Sequence, residues 1–519
     1  MPDIVLATIN ARYMHASLGL RCLRANLREL RERSALVEFT IGQKPLEIAD
    51  ALLAFEPRVL GLGVYVWNVT PVTELVMLLR RLRPSLVIVL GGPEVSYEFD
   101  RQEVVRLADH VVTGEGDYAF QELCQKLLSG GDAPPKIIPG GVPRLDDMVL
   151  PYGEYTDEDI VHRLVYVEAS RGCPFECEFC LSSLDVPVRD FPLDRFLGAM
   201  DGLWRRGLRH FKFVDRTFNL RIETGRRILG FFLERLDPAL FLHFEMIPDR
   251  LPREFRELIV KFPPGSLQFE IGVQTFNPEA AAAIRRRQDI MSLEDNFRFL
   301  HEETSVHVHA DLIAGLPGED IDSFGRGFDR LIELRPQEIQ VGILKRLRGT
   351  SIGRHDSIWD MTYSPLPPYE MLQNRLIDFA MMQRLRHFAR YWDLIGNSGR
   401  FIETVSLLWS NDVGPFRGFL RFSDWLYRRV GKHHDLALPK LMGEIFAYLV
   451  EVRGLRGEAV AETLWRDALR AGQAEMPPAV KSFIPPSAVR ASPSVSSKGT
   501  MHTQRQARHR GGPDLFTPK

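Results

Sequence analysis

The feature that most constrains this chain is a twice-repeated alternation of short apolar runs with helix-length amphipathic stretches. In the first 140 residues the runs are Ile4 to Ile9, Val37 to Ile41, Val59 to Val66, Leu86 to Leu90 and His110 to Thr113. Between them lie helix candidates near Leu18 to Leu30, Pro45 to Ala54, Thr73 to Leu82, Gln102 to Leu107 and Ala119 to Leu128. Such alternation predicts a parallel sheet with helices on both faces, a doubly wound α/β unit over residues 1–140. Ligands of such sheets sit beyond the carboxyl ends of the strands. Those ends carry Asn10 to His15, Tyr65 to Asn68, Gly91-Gly92-Pro93-Glu94 and Gly114-Glu115-Gly116.

Residues 130–160 are punctuated by Gly130, Gly131, Pro134, Pro135, Pro139, Gly140, Gly141, Pro143 and Pro151, and read as a linker. The second series follows, with runs at Leu164 to Glu168, His210 to Val214, Phe241 to Met246, Leu267 to Val273, Val306 to Ile313 and Glu338 to Leu344. Six βα units over residues 160–365 predict a partial (β/α)6 TIM-like barrel with its chemistry at the strands' carboxyl ends. Residues 366–480 turn to aromatic, arginine-rich helical material and predict a helical C-terminal domain. From Ser487 onward there are six Lys or Arg against one Asp and few apolar residues, so residues 486–519 read as a disordered tail.

Composition narrows the function classes. Hydrophobic residues make up 45% and charged residues 26%, with a net charge of −2, so no global basic field exists to hold nucleic acid. The most apolar stretch, Val59 to Leu79, is broken by Asn68, Thr70, Pro71, Thr73 and Glu74, short of the roughly 20 apolar residues of a membrane span. The start reads as neither leader nor anchor, and a cytoplasmic location is expected. Five cysteines are too few and of the wrong parity for a disulfide scaffold. Cys22 and Cys124 sit alone in helix-like stretches and read as core thiols.

Cys173, Cys177 and Cys180 are the exception. In EASRGCPFECEFCLSS they are spaced C-x3-C-x2-C directly after the first strand of the second series. Three thiolates on one tight loop suit a soft metal centre. A structural zinc site needs a fourth ligand, and no local Cys or His supplies it. A [4Fe–4S] cluster on three thiolates keeps one iron open for a small molecule. Zinc completed from afar and three core thiols are the alternatives.

The motif, with Phe179 before its last cysteine and its place after the first strand, resembles that of the radical S-adenosylmethionine (SAM) superfamily. FKFVDRTFN (Phe211 to Asn219), FEIGVQTFN (Phe269 to Asn277), DLIAGLPGE (Asp311 to Glu319) and ILKRLRGT (Ile343 to Thr350) extend the likeness. The resemblance implies that SAM chelates the open iron, that Phe179 lies against its adenine, that Glu270 and Gln274 contact SAM, and that the Gly315 turn approaches the adenine. Glu270, in an apolar strand, needs a partner or marks the site. Asp215 and Arg216 at a strand end are candidates for the substrate pocket or for a mutual contact, and Asp215 is placed among the reacting groups. Lys345, Arg346 and Arg348 are candidates to meet an anionic substrate.

The first unit resembles the Rossmann-like cobalamin-binding domain that precedes some radical SAM cores, on INARYMHASLGLRCLRANL (Ile9 to Leu27), LGGPEVS (Leu90 to Ser96) and GEGDYAFQEL (Gly114 to Leu123). This implies cobalamin contacts at Gly91, Gly92, Gly114, Glu115 and Gly116, with His15, Tyr65 and Trp67 on the cobalt side. Domains that ligate cobalt with histidine carry D-x-H-x-x-G, whereas His15 sits in Y-M-H-A-S-L-G without the aspartate. Methylthiotransferases of the superfamily hold a second cluster on three further cysteines, and only Cys22 and Cys124 remain here. The helical segment resembles an extension of unassigned function in one cobalamin-type subgroup. The expectation is a cobalamin-dependent radical SAM enzyme, in the commonest outcome a methyltransferase, with a flavodoxin or ferredoxin as external electron donor and a small-molecule substrate. Non-methylating cobalamin chemistry and a non-catalytic sensor are the rivals.

Overall fold

The structure, a computed structural model, describes residues 1–130, 134–185, 187–410, 414–473, 475–484 and 501–509. Its first strand, β1 (Ile4–Asn10), is buried along its whole length, as an apolar run covered on both faces requires. Among the described residues β1 belongs to a six-stranded parallel sheet with β2 (Ser34–Thr40), β3 (Val59–Gly63), β4 (Val87–Gly91), β5 (His110–Thr113) and β6 (Ile137–Pro139), in the order β2-β1-β3-β4-β5-β6. Ile4 pairs with Ser34 on one side and with Val59 on the other. The chain thus reverses its direction of travel across the sheet at β1, which opens a crevice at the carboxyl ends of β1 and β3.

β6 corrects the linker reading. Ile137 and Ile138 pair with Val111 and Val112 at the sheet edge, where Pro139 is tolerated because it owes no donor to a further strand. Further along this stretch, Tyr152 and Tyr155 pack in the core of the second unit.

That unit starts at β7 (Val165–Val167) and continues through a short antiparallel pair, β8 (Ser170–Arg171) and β9 (Arg189–Asp190). Then follow β10 (His210–Phe213), β11 (Phe241–Met246), β12 (Leu267–Gln274), β13 (His307–Ala314) and β14 (Glu338–Ile343). The parallel order is β14-β13-β12-β11-β10-β7, a partial (β/α)6 barrel whose free edges are β7 and β14. The N-terminal unit reaches both edges. Leu164, just before β7, donates its N–H to the Met14 carbonyl at 2.7 Å. After β14, Gly349 has φ +84 and packs under the Tyr97 ring, where a Cβ would collide.

The helices Phe379–Leu394, Pro415–Val430, Leu438–Ala447 and Gly457–Arg470 share one continuous apolar core with the barrel. Phe328 of the barrel meets Phe388 and Trp392 at ring separations of 5.1 and 4.9 Å. Each such ring contributes about 1.5–3 kcal/mol by burial. Within the stretch read as a tail, Met501–His509 form a helix. Arg505 Nη2 stands 2.8 Å from both Glu338 and Asp393, and Gln506 donates to Gln268 on the barrel floor. Composition alone misses this contact because it is polar, answering buried groups that need partners. Residues 485–500 and 510–519 lie outside the described residues. No described helix is long and apolar enough to cross a membrane.

Candidate active site

The cysteine loop is clamped by β8 and β9. Gly172, at φ +92, begins it where a Cβ would stand 2.7 Å from the Asp185 carbonyl, so only glycine fits. Cys173 N–H donates to that carbonyl at 2.9 Å, and Cys180 N–H to the Cys177 carbonyl at 3.1 Å. The turn directs Cys173, Cys177 and Cys180 onto one cavity of about 160 Å³, together with Phe179, Glu270 and Gln274. Burial raises the Cys173 and Cys177 thiol pKa values, while Arg286, whose Nη1 lies 3.6 Å from Cys177 Sγ, opposes the rise at Cys177. A cation against a thiol favours the ligating thiolate.

Among the described residues no three Cys, His, Asp or Glu side chains close on a single ion as a structural zinc site demands. A cubane cluster is bound differently, one thiolate to each iron, so its donors line a wider cavity. Three thiols spread around one cavity of about 160 Å³ suit such a cluster.

The barrel side of this cavity is built by β12. Its pairing with β13 shifts between Gly272 and Gln274, and Gln274 sits at φ +70, uncommon for a residue with a Cβ. Its amide folds back over Gly272, into the space a Cβ there would take. Below it, His243 Nε2 stands 3.1 Å from Glu270 Oε2. Burial lowers the His243 pKa, and the neighbouring Glu270 carboxylate opposes the shift. Burial alone would raise Glu270, but His243, His309 and Lys212 outweigh it and hold the carboxyl below its ordinary value. Arg216 also faces the cavity and pairs with Glu245 at 2.9 Å.

Asp215 does not belong to this cavity. It is buried behind the loop, accepting the Ala169 N–H at 3.0 Å and the Ser170 hydroxyl at 2.6 Å, and it serves to hold the exit of β7. Burial pushes its carboxyl up to about 7. Gly315 lies elsewhere too: at φ +92 it receives Met382 and Met371, to which a Cβ would approach within 3.1 and 3.2 Å. Of the three basic candidates, Arg348 is engaged by Glu94 and Glu98, and Arg346 stands 3.6 Å from Asp356.

A second cavity, of about 310 Å³, opens at the carboxyl ends of the N-terminal strands, bordered by Gly91, Gly92, Gly114, Glu115, Gly116 and Tyr65. The glycines keep it open. Gly92 has φ +109, and its Cβ would stand 2.5 Å from the Val64 carbonyl oxygen. Tyr65 stacks on Trp67 with ring centroids 4.4 Å apart, and Trp67 is 48% exposed at the sheet edge, outside the cavity lining. His15 is absent from that lining as well. Its Nδ1 meets the Tyr166 hydroxyl of β7 at 2.6 Å, turned toward the barrel wall.

Glu115 is tied across the units, to Arg171 at 2.7 Å and to Arg189. Arg171 also holds Asp117 at 2.8 Å and Glu168 at 2.9 Å. Sequence reasoning missed Glu168, Arg171 and Cys22 as walls of this cavity, and His243 and Arg286 near the other. Arg171, two residues before the first loop cysteine, is the one whose position gave a signal.

A model of the B12 binding domain matches residues 4–124, and a model of the radical SAM superfamily matches residues 167–331. The chain carries a B12-binding domain followed by a radical SAM domain. Residues 357–494 match a family described only as a protein of unknown function, DUF4080. The chain is 26% identical over 353 residues to the cobalamin-dependent radical SAM methyltransferase TokK of Streptomyces tokunonensis, covering 57% of this chain and 48% of that protein. It is 25% identical over 334 residues to the 2-(S-pantetheinyl)-carbapenam-3-carboxylate methyltransferase of Streptantibioticus cattleyicolor, covering 56% and 48%. The chain spans about half the length of these curated relatives. Among solved structures, its fold resembles the radical SAM methyltransferase TsrM of Kitasatospora setae with cobalamin and [4Fe–4S] cluster bound, at a TM-score of 0.56 and 17% identity over 71% of this chain and 78% of that one. It also resembles the cobalamin-dependent SAM radical enzyme OxsB with aqua-cobalamin bound, at a TM-score of 0.59 and 12% identity over 98% and 84%.

Proposed function

We propose that this protein is a cobalamin-dependent radical SAM enzyme that cleaves SAM reductively and transfers a methyl group to an unactivated position of a small-molecule substrate. One observation carries the reading: a single segment, Glu168 to Ser183 with Asp185, supplies walls to both cavities, the glycine-lined one through Glu168, Arg171 and Asp185 and the cysteine-lined one through Cys173, Cys177 and Cys180. Two cofactors held there stand on either side of one loop, the arrangement a two-cofactor reaction needs.

When bound, the [4Fe–4S] cluster supplies the electron that breaks SAM to methionine and a 5′-deoxyadenosyl radical, and cobalamin carries the methyl group. The residues bind and orient. Cys173, Cys177 and Cys180 would hold the cluster, and its remaining iron would be open to SAM. Glu270, kept ionised by its surroundings, accepts hydrogen bonds from SAM, Gln274 offers its amide, and Phe179 packs on the adenine. In the N-terminal cavity the glycines Gly91, Gly92, Gly114 and Gly116 admit the cobalamin tail. Tyr65, which borders this cavity, would then lie against the bound cobalamin, whereas His15 is committed to Tyr166. A cytoplasmic location belongs to the same reading.

The test is Cys177→Ala in anaerobically prepared protein. Production of 5′-deoxyadenosine is abolished while cobalamin uptake is unchanged; retained cleavage refutes the ligand assignment.

A further inference from the structure

Outside the cysteine loop an open groove of about 1010 Å³ runs between Pro174 to Glu176 and the turn that joins the helices Pro278–Ala283 and Ile290–Glu303. It shares Phe175, Arg286 and Arg287 with the cysteine cavity, so these side chains form the partition between them. None of its described lining residues belongs to the N-terminal cavity. The N-terminal unit spans the β7 and β14 edges, whereas the groove lies on the β12 side of the barrel.

The groove is cationic for a structural reason. Its charged lining is Arg285, Arg286 and Arg287 against Glu176. Arg285 takes a left-handed backbone, φ +53, which splays the three arginines. Arg286 turns inward to Cys177 and the Gly272 carbonyl, while Arg285 and Arg287 remain exposed. Beside them Arg354, 45% exposed, and Arg285 both pair with Glu178, whose side chain is only 1% exposed. The Glu178 charge is thus sunk beneath the surface, Glu176 stands exposed 3.6 Å from Arg285, and the guanidinium groups of Arg285, Arg287 and Arg354 outnumber it at the surface.

We infer that this groove is the docking surface for an acidic one-electron carrier protein of the flavodoxin or ferredoxin type. The inference rests on the proposed reductive cleavage of SAM, which requires an electron from outside the chain. The reduced carrier gives up one electron, and SAM takes it up as its C5′–S bond breaks to methionine and the 5′-deoxyadenosyl radical, so one carrier oxidation balances one cleavage. A substrate does not fit this groove, because it must reach the space between the two cofactor cavities. An acidic protein does, since opposite surface charge steers association and brings the carrier to the outer face of the loop that bears the thiols.

The test uses the full chain reconstituted with iron, sulfide and cobalamin, and the exposed groove residue Ala282, which touches neither cavity lined by the cofactor residues. Binding of purified flavodoxin and of a ferredoxin is measured directly, and SAM cleavage is measured with the reduced carrier and with titanium(III) citrate. Ala282→Glu is expected to weaken carrier binding about three- to tenfold at low salt and to slow carrier-driven cleavage correspondingly, while Ala282→Lys does not weaken it. Rates with titanium(III) citrate stay at the wild-type level in both variants. Equal carrier affinity for the wild type and Ala282→Glu, or no binding of either carrier to the wild type, overturns the inference. Charge-dependent binding without cleavage by any reductant instead leaves the docking surface standing and refutes the radical SAM activity.

Discussion

Arg348 Nε donates to Glu94 Oε1 at 2.7 Å, joining the loop after β14 to the glycine turn after β4. The Tyr369 hydroxyl donates to the same oxygen at 2.6 Å, and Glu94 is 4% exposed. A residue expected to meet substrate is therefore spent on fixing the N-terminal cavity against the barrel. Because Arg348 retains some exposure, removing it costs less than breaking a fully buried pair: Arg348→Ala is expected to destabilise the protein by about 2 kcal/mol. Denaturant unfolding and protease nicking between the units measure it, and an unchanged midpoint would remove the clasp from the account.

Gly92 tests the cavity floor. Gly92→Ala forces a side chain into φ +109 and against the Val64 carbonyl, with an expected loss of about 2–4 kcal/mol and of cobalamin binding. Gly130→Ala is the control. At φ +73 with open space around it, it is expected to cost about 1 kcal/mol and to leave cobalamin binding intact.

Asp215 gives a pH dependence of known sign. Its folded-state pKa is raised from 3.8 to about 7, so the folded state holds the proton more tightly than the unfolded state does. The contribution is fully present below pH 4 and is lost as pH rises through 7, at up to about 1.4 kcal/mol per pH unit. Asp215→Asn is expected to flatten that slope, as read from unfolding midpoints at pH 5.5 and 7.5. Equal slopes in the two proteins would contradict the assignment.

His243 acts through Glu270. His243→Leu is expected to raise the KM for SAM roughly tenfold with the iron content unchanged, and His243→Asn, which keeps a donor, to recover part of the loss. A fall in kcat alone would give the imidazole a different role.

Much of the fold is legible because parallel strands buried on both faces read as apolar runs, as in IVLATIN of β1 and LQFEIGVQ of β12. β6 was illegible for the opposite reason: three residues set among prolines and glycines carry no period. The cysteine spacing placed Cys173, Cys177 and Cys180 on one loop, and the structure sets all three on one cavity. The direction of His15 depends on Tyr166, 151 residues away, and no local pattern encodes it. Glu115 reads as a turn residue until Arg171 and Arg189 come back across it from the barrel. Glu270 has a partner in His243 and also lines the cysteine cavity, a pairing across strands that its own strand does not announce.

The most direct measurement is anaerobic reconstitution with iron, sulfide and hydroxocobalamin, followed by metal analysis and a SAM-cleavage assay under reduction. The account predicts about four irons and about one cobalt per chain, with 5′-deoxyadenosine formed. One zinc in place of iron and acid-labile sulfide, with no 5′-deoxyadenosine, would contradict it.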